Sequence, residues 1–268
     1  MNASLPMRRF VPALAVLGLA AACGEGPPPP AAGPTLVEGP CADIYGGTVC
    51  TWAQVEGEEV VQVGATVPLA TIQNAPEDME MSWPPMAAAT IPLPDVAIAK
   101  TGVRDLKVYW EAHGHPPGPY LVPHFDFHFY TIPADEANAI DCTDLSKPAT
   151  LPAGYALPDV EIPGLGNLVG VCVPEMGMHS LLASELESDT PFTGTMVAGY
   201  YSGKSIFFEP MLTRDLLLQE KTFSLDVPSV ENVSAGVVMP THFEAQWDAA
   251  ASAYRFVFTG FPSGSATD

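Results

Sequence analysis

The chain has 268 residues, with 31 acidic against 10 basic side chains and a formal net charge of −21. This negative excess repels phosphate backbones and anionic lipid surfaces, so it argues against a nucleic-acid partner. With 29 prolines, 23 glycines and only 15% charged residues, long helices are not expected. The composition favours a mainly β protein that is large enough for one well-formed hydrophobic core.

The N-terminus has the pattern of an export signal. Arg8 and Arg9 precede an apolar run at 10–19, and small residues follow directly before Cys23. The run is too short to span a bilayer as a helix. We therefore predict a signal peptide over residues 1–22, cleaved at a site that resembles a bacterial lipoprotein processing site, so that Cys23 carries the lipid. The alternative is ordinary cleavage nearby, with Cys23 incidental.

Residues 23–35 are rich in proline, glycine and alanine and cannot bury apolar surface. Such a segment extends as a polyproline spacer, so we predict a tether between a membrane lipid and a folded domain. The protein would then be exported and lipid-anchored in the cell envelope, facing the periplasm or the exterior. Its predicted contact with a membrane is through this lipid only.

Cysteine usage agrees with an oxidising compartment. Apart from Cys23, the chain has four cysteines, an even number that suits two disulfides. Three pairings exist, and we favour Cys41 with Cys50, across a glycine-containing turn, together with Cys142 with Cys172. Four free buried thiols are the alternative.

Short segments rich in β-branched and aromatic residues follow one another over residues 36–262 and predict one β-sandwich or barrel-like domain. Helix is expected only in short pieces, at 133–140, where a proline and two acidic residues open the segment, and at 210–219. Residues 263–268 are expected to be a disordered tail. The predicted strands are 60–63, 66–71, 105–111, 124–131, 170–173, 195–201, 204–209, 241–247 and 254–259.

The most informative segment is the predicted strand at 124–131, where metal-binding side chains alternate with large aromatics. Because successive side chains of a strand point to opposite faces, His124, Asp126 and His128 share one face. The aromatic residues on the other face would pack in a core. Two imidazoles on either side of a carboxylate are side chains typical of metal sites and of proton transfer.

Spacing limits how this row could bind an ion. Neighbouring positions on one strand face are about 6.7 Å apart, so His124 and His128 are about 13 Å apart in a regular strand. A single site would use Asp126 with one of the two histidines or would need a bulge; otherwise the row serves two adjacent sites. Mixed nitrogen and oxygen ligands suit a divalent zinc, iron, manganese or copper ion.

Other segments carry side chains that could complete the ligand set. His179 follows an apolar strand, Glu209 ends another, and the Gly/Pro loop before the row carries His113 and His115. We predict His179 and Glu209 as ligands together with the row, and His113 and His115 as secondary candidates. Each has a structural alternative, because His-Gly-His-Pro loops also form turns and Glu209 precedes a proline that could begin a helix. The row itself could be a hydrogen-bond ladder in which the carboxylate accepts from both rings.

Several motifs, at 113–118, 123–130, 200–204 and 208–211, resemble a family of exported bacterial domains of unknown function. One member of that family is controlled by an extracytoplasmic sigma-E stress system. The resemblance extends over most of residues 100–215. It implies a compact β-rich exported domain and a ring-like homo-oligomer, and it brings no established reaction with it.

The sequence therefore predicts an exported cell-envelope lipoprotein with a divalent-metal site on the His-x-Asp-x-His strand. It leaves the ligand, the reaction and the question of enzymatic activity open. The chain has no Gly-x-Ser-x-Gly elbow, His-Glu-x-x-His helix, phosphate-binding loop or dinucleotide fingerprint. The alternative is a non-catalytic ligand-binding or oligomeric assembly protein of the envelope, related to stress, in which the row of histidines and aspartate is structural.

Overall fold

The computed structural model describes residue 1 and residues 33–80 and 82–262. The predicted signal peptide, Cys23, most of the tether and the tail at 263–268 lie outside these residues. The described residues from Gly33 onward form one unit, and β1 begins at Thr35. Within the described ranges, no helix is long and apolar enough to cross a membrane.

The regular elements are strands of two to ten residues and helices of four to seven residues. The strands are β1 (Thr35–Ile44), β2 (Gly47–Glu56), β3 (Glu59–Pro68), β4 (Ala89–Pro92), β5 (Asp105–Glu111), β6 (His124–Tyr130), β7 (Tyr155–Ala156), β8 (Val160–Ile162), β9 (Gly166–Leu168), β10 (Met178–Leu182), β11 (Gly194–Tyr201), β12 (Lys204–Thr213), β13 (Phe223–Asp226), β14 (His242–Asp248) and β15 (Ala253–Thr259). The helices are α1 (Leu69–Gln73), α2 (Asp95–Thr101), α3 (Ala134–Asn138), α4 (Ala183–Leu186) and α5 (Arg214–Leu217), with 3-10 turns at Gly118–Tyr120 and Val169–Val171.

Two large antiparallel sheets form the domain. The first has the strand order β1-β2-β3-β15-β14-β13, and the second has the order β4-β5-β6-β12-β11-β10-β7. The strands β8 and β9 pair with each other in a separate hairpin. The prediction of a mainly β, sandwich-like domain with short helices is therefore confirmed.

The aromatic face of β6 packs in the core between the two sheets. Phe125, Phe127 and Phe129 are fully buried, and the last two contact Phe256 and Phe258 of β15 with ring centroids 4.8 and 4.9 Å apart. Each such ring contributes roughly 1.5–3 kcal/mol by leaving water. Because a shift of one residue would exchange the two faces, this burial fixes the register of β6 and directs the polar row to the outer face of the second sheet.

Several predicted elements differ in the structure. The strands predicted separately at 60–63 and 66–71 form one strand, β3, and α1 follows it from Leu69. β12 continues through Pro210 to Thr213, so Glu209 does not begin a helix, and only the short α5 follows. All residues of β12 after Lys204 are buried, and this burial on both faces keeps the chain extended past the proline. The predicted strand at 170–173 is instead a turn whose apolar side chains, including Val171, pack over the second sheet.

Two disulfides join Cys41 to Cys50 and Cys142 to Cys172, which confirms the favoured pairing. The first lies within the β1–β2 ladder, where its two cysteines are opposite each other. The second joins the segment after α3 to the turn that precedes β10. It therefore holds in place the loop that covers the polar face of β6.

Candidate metal centre

The outer face of the second sheet carries a buried row of polar side chains. On β6 the row is formed by His124, Asp126 and His128, all almost inaccessible to solvent. Opposite them on β5 lie, in the same order, Glu111, Tyr109 and Lys107. Loops cover this face with a second apolar cluster, to which Tyr120 and Leu181 belong. The row is therefore enclosed rather than solvated.

The row divides into two groups of three potential ligands. The outer group consists of His115, His124 and Asp126, and the inner group consists of His128, His179 and Glu209. In each group, one nitrogen or oxygen atom of every residue lies within 4.8 Å of those of the other two. These His, Asp and Glu groups could each hold a metal ion.

In the outer group, both histidine rings direct Nε2 toward the carboxylate. The Nε2 atoms of His124 and His115 lie 3.3 and 3.7 Å from the nearer oxygens of Asp126. Their Nδ1 atoms lie 2.6 and 2.9 Å from the carbonyl oxygens of Val122 and Pro116. Because a carbonyl can only accept, Nδ1 carries the hydrogen in both rings, and Nε2 of a neutral ring presents its lone pair to the centre of the group.

Gly114 allows the loop to bring His115 to β6. Its φ is +67°, and a Cβ at this position would overlap the backbone of Tyr120 and Val122. The loop closes through a hydrogen bond from the His115 amide to the Tyr120 carbonyl, at 3.1 Å. A left-handed conformation with so close an approach favours glycine. The motif that resembled a simple turn therefore also positions a side chain of the outer group.

The inner group joins three strands of the second sheet. Nε2 of His128 on β6 lies 3.4 Å from Oε2 of Glu209 on β12 and 3.3 Å from Nε2 of His179 on β10. Nδ1 of His179 lies 3.0 Å from the Val171 carbonyl, so Nε2 of this ring again presents a lone pair. The second disulfide lies beside this carbonyl, at Cys172.

Gly199 leaves the space in which His128 and His179 meet. On β11 it lies opposite His179 of β10 and Phe207 of β12. A Cβ at this position would overlap the Phe207 ring. That ring lies 4.6 Å from the ring of His128 and 5.1 Å from that of His179. A larger side chain here would therefore displace the packing that holds both histidines.

We expect Gly199→Ala to lower the free energy of unfolding by about 1–3 kcal/mol, because the added methyl group overpacks a buried site. Urea denaturation measures this change. Gly118→Ala is the matched control, since a Cβ at Gly118 meets no atom within 4 Å. A loss no larger than that of the control would mean that the Phe207 ring can move without cost.

Several buried polar atoms of the two groups lack a hydrogen-bond partner among the described residues. These atoms are Nε2 of His124, Oδ1 of Asp126, Nδ1 of His128 and Oε2 of Glu209. A buried polar atom without a partner costs about 1–3 kcal/mol. Three of the four lie at the centre of a group and are acceptors, so what these groups lack is a cation, either a proton or a metal ion.

In the metal-free protein, the outer group retains charge. Burial alone would raise the pKa of Asp126, but the rings of His124 and His115 outweigh it and hold this pKa well below its usual range. Burial also opposes a charged His115, yet the neighbouring Asp126 carboxylate outweighs burial and raises the pKa of His115 to about 9. A proton on His115 therefore balances Asp126 at neutral pH.

In the metal-free inner group, burial favours the neutral forms. It lowers the pKa of His179 to about 4 and, together with His179, lowers the pKa of His128 well below its usual value. Burial and the negative charges of Asp126 and Glu111 raise the pKa of Glu209. The three residues thus provide neutral imidazoles, the form that binds metals, next to a carboxyl group that gains from a cation.

All five ligands predicted from sequence lie on this face, and they fall into two groups, which is the two-site arrangement that the spacing of the row left open. The row is split between Asp126 and His128, and the secondary candidate His115 completes the outer group. The other secondary candidate, His113, belongs to neither group and has an exposed side chain. His242 is exposed on β14, in the other sheet.

Sequence reasoning missed the contribution of β5. Burial raises the pKa of Glu111 to about 7, and the negative charge of Asp126 adds to this effect. The ring of Tyr109 contacts His128 edge-on, with centroids 5.0 Å apart. Lys107 is buried beside the inner group and donates to Asn138 at 2.7 Å. The sequence does contain a signal for them, because these three polar side chains occupy alternate positions of the predicted strand at 105–111 and so share one face.

No family model, curated protein or solved structure matches this chain. The resemblance of its motifs to a stress-related family of exported domains, and the ring-like oligomer that it implies, stay predictions.

Proposed function

We propose that this protein is an exported metalloprotein of the cell envelope whose outer and inner groups each bind one divalent transition-metal ion. The observation that best supports this proposal is the hydrogen bonding of the rings. His115, His124 and His179 each present Nδ1 to a backbone carbonyl and Nε2 to the centre of a group. This arrangement is typical of metal-ligating histidines, whose orientation and tautomer depend on such a bond.

The donor set indicates which ions suit the groups. Each offers two imidazole nitrogens and one carboxylate, the combination found in catalytic zinc sites and in non-haem iron(II) oxygenases. We therefore propose zinc, iron, manganese or copper. Three protein ligands leave coordination positions open, so a bound ion could polarise a substrate or activate a water molecule.

The position of the groups also supports a chemical rather than a purely structural function. A cavity of about 70 Å³ lies over them and is lined by His115 and Asp126 of the outer group and His179 of the inner group. Ligands from both groups therefore face the same cavity. A row that served only as a hydrogen-bond ladder would not need this cavity.

Elemental analysis by plasma mass spectrometry tests the proposal on untagged residues 24–268, purified without chelator or nickel. We expect about two equivalents of one of the four metals per chain. A protein that contains no metal and takes up none on addition would contradict the proposal. The groups would then be hydrogen-bonded features of a non-catalytic binding or assembly protein.

We also propose that the chain is anchored to the envelope by a lipid on Cys23. The two disulfides within the domain support export. We expect Cys23→Ser to move the protein from the membrane fraction to the soluble exported fraction and to abolish labelling with a radioactive fatty acid. Unchanged membrane association of this variant would argue against the anchor.

A further inference from the structure

We infer that the cavity over the two groups binds an amphiphilic small molecule, with an anionic oxygen-donor head at the metal ions and an apolar body extending outward. For the head, this inference rests on the proposed function. For the body, it rests on the cavity walls alone. The molecule would be a substrate or ligand of the carboxylate class.

The inner chamber is the cavity of about 70 Å³ in contact with the groups. Apart from His115, Asp126, His179 and Glu111, its walls are apolar and include Val171 and Met176 of the covering loop. The volume exceeds the roughly 15 Å³ that a single water molecule requires. It is sufficient for a small head group, and it is too small for a whole ligand of drug size.

A larger outer chamber of about 340 Å³ adjoins the inner one, and both are lined by Trp83, Glu111, His115 and Ile162. The two chambers together reach the size of ordinary small-molecule sites, about 300–1,000 Å³. A molecule that places its head in the inner chamber would therefore extend its body through the outer one.

Several large apolar side chains are exposed together at the rim of the outer chamber. Trp83 is 40% exposed, Met86 79% and Leu165 45%, and all three line this chamber. Single exposed apolar residues are ordinary, but several around one opening are typical of binding sites. The rim thus continues the apolar walls of the chamber to the surface.

The β8–β9 hairpin supplies one wall of both chambers. Ile162 and Leu168 line the inner chamber, and Leu165 at the tip of the hairpin lines the outer one. The two strands pair only with each other among the described strands. Because an isolated hairpin is marginally stable in water, its apolar side chains must find partners at the cavity. An apolar ligand would be such a partner.

The net charge of the metal-loaded site indicates which head group the ligand would carry. Two divalent ions bring four positive charges to a site that holds three carboxyl groups, those of Asp126, Glu209 and Glu111. The loaded site would therefore attract an anion much more strongly than the metal-free site, where Lys107 and a protonated His115 face these carboxyl groups without any metal charge. A carboxylate, whose oxygens are good ligands for these ions, satisfies both conditions.

Binding of acetate, hexanoate and decanoate to the zinc-loaded protein, measured by isothermal titration calorimetry, tests the inference. We expect decanoate to bind roughly tenfold or more tightly than hexanoate, because each buried CH₂ group adds affinity. Removing zinc should weaken the binding of hexanoate and decanoate at least tenfold. Equal affinities across the series in protein that contains zinc would overturn the inference and leave the proposed function intact.

A matched pair of variants distinguishes binding in the outer chamber from general adsorption of the ligand to the protein surface. Leu165 and Leu145 are 45% and 47% exposed, but only Leu165 lines the outer chamber. We expect Leu165→Ser to weaken decanoate binding roughly fivefold or more and to leave zinc content and acetate binding unchanged. Leu145→Ser should leave all three quantities unchanged. Equal losses in both variants would overturn the inference. A protein that contains none of the four metals and takes up no added zinc, as measured beforehand by elemental analysis, would contradict the proposed function and the anionic head together.

Discussion

Under the proposed function, His124→Ala and His128→Ala should each remove one of the two metal ions and leave the other in place, because the two residues belong to different groups. His124 contributes Nε2 to the outer group, and His128 contributes Nε2 to the inner group. Loss of a residue that only orients a ligand weakens metal affinity about 10–100-fold. Loss of the ligand itself should weaken it at least as much. Elemental analysis of the dialysed variants measures the remaining ion.

The exposed histidines provide controls for this experiment. His113 and His242 lie outside both groups, so His113→Ala and His242→Ala should retain both ions. Loss of both ions in each of the two test variants would mean that the groups form one coupled centre. Full metal content in His128→Ala would remove this residue from the ligand set and contradict the inner group.

Glu209→Gln should have opposite effects on stability in the metal-free and zinc-loaded protein. In the metal-free protein, burial and the charges of Asp126 and Glu111 raise the pKa of Glu209 above its unfolded value of about 4.3. The stabilising contribution of the protonated carboxyl is therefore complete below about pH 4.3 and is lost as pH rises through the folded pKa. Glutamine does not ionise, so the variant should be the more stable protein at alkaline pH.

Under the proposed function, zinc should reverse this order, because it would bind the wild-type inner group through the Glu209 carboxylate. An ion at 1,000 times its dissociation constant stabilises the folded state by about 4 kcal/mol, and the variant should gain much less at this group. Thermal unfolding at several pH values, with chelator and with zinc, measures both effects. Glu161→Gln, at an exposed glutamate of β8, is the control. If Glu209→Gln is stabilising under both conditions, the inner group does not bind zinc.

The alternation along β6 was sufficient to predict the strand and the division of its faces, because one face carries three large aromatics that must be buried. The partners of the row were harder to predict. His128 meets Glu209 through the pairing of β6 with β12, and a pairing over such a distance in sequence depends on the whole sheet. His115 was underestimated because its position depends on how the loop folds back at Gly114.

The first strand was missed for a different reason. β1 is an edge strand with mostly exposed or half-exposed residues, so it lacks the apolar alternation that indicates a half-buried strand. In β12, the proline after Glu209 suggested an end to the strand, and burial on both faces overrode this local preference. In both cases tertiary packing determined the strand conformation, and the local sequence did not indicate it.

The disulfide between Cys142 and Cys172 has a consequence for the order of maturation. It fastens the loop whose Val171 carbonyl orients His179, so the inner group would be fully ordered only after these cysteines are oxidised. Under the proposed function, the inner ion would then be acquired outside the cytoplasm, after translocation and oxidative folding. A lower metal content in reduced protein would reveal this dependence. The choice of metal would reflect the supply in the envelope rather than that in the cytoplasm.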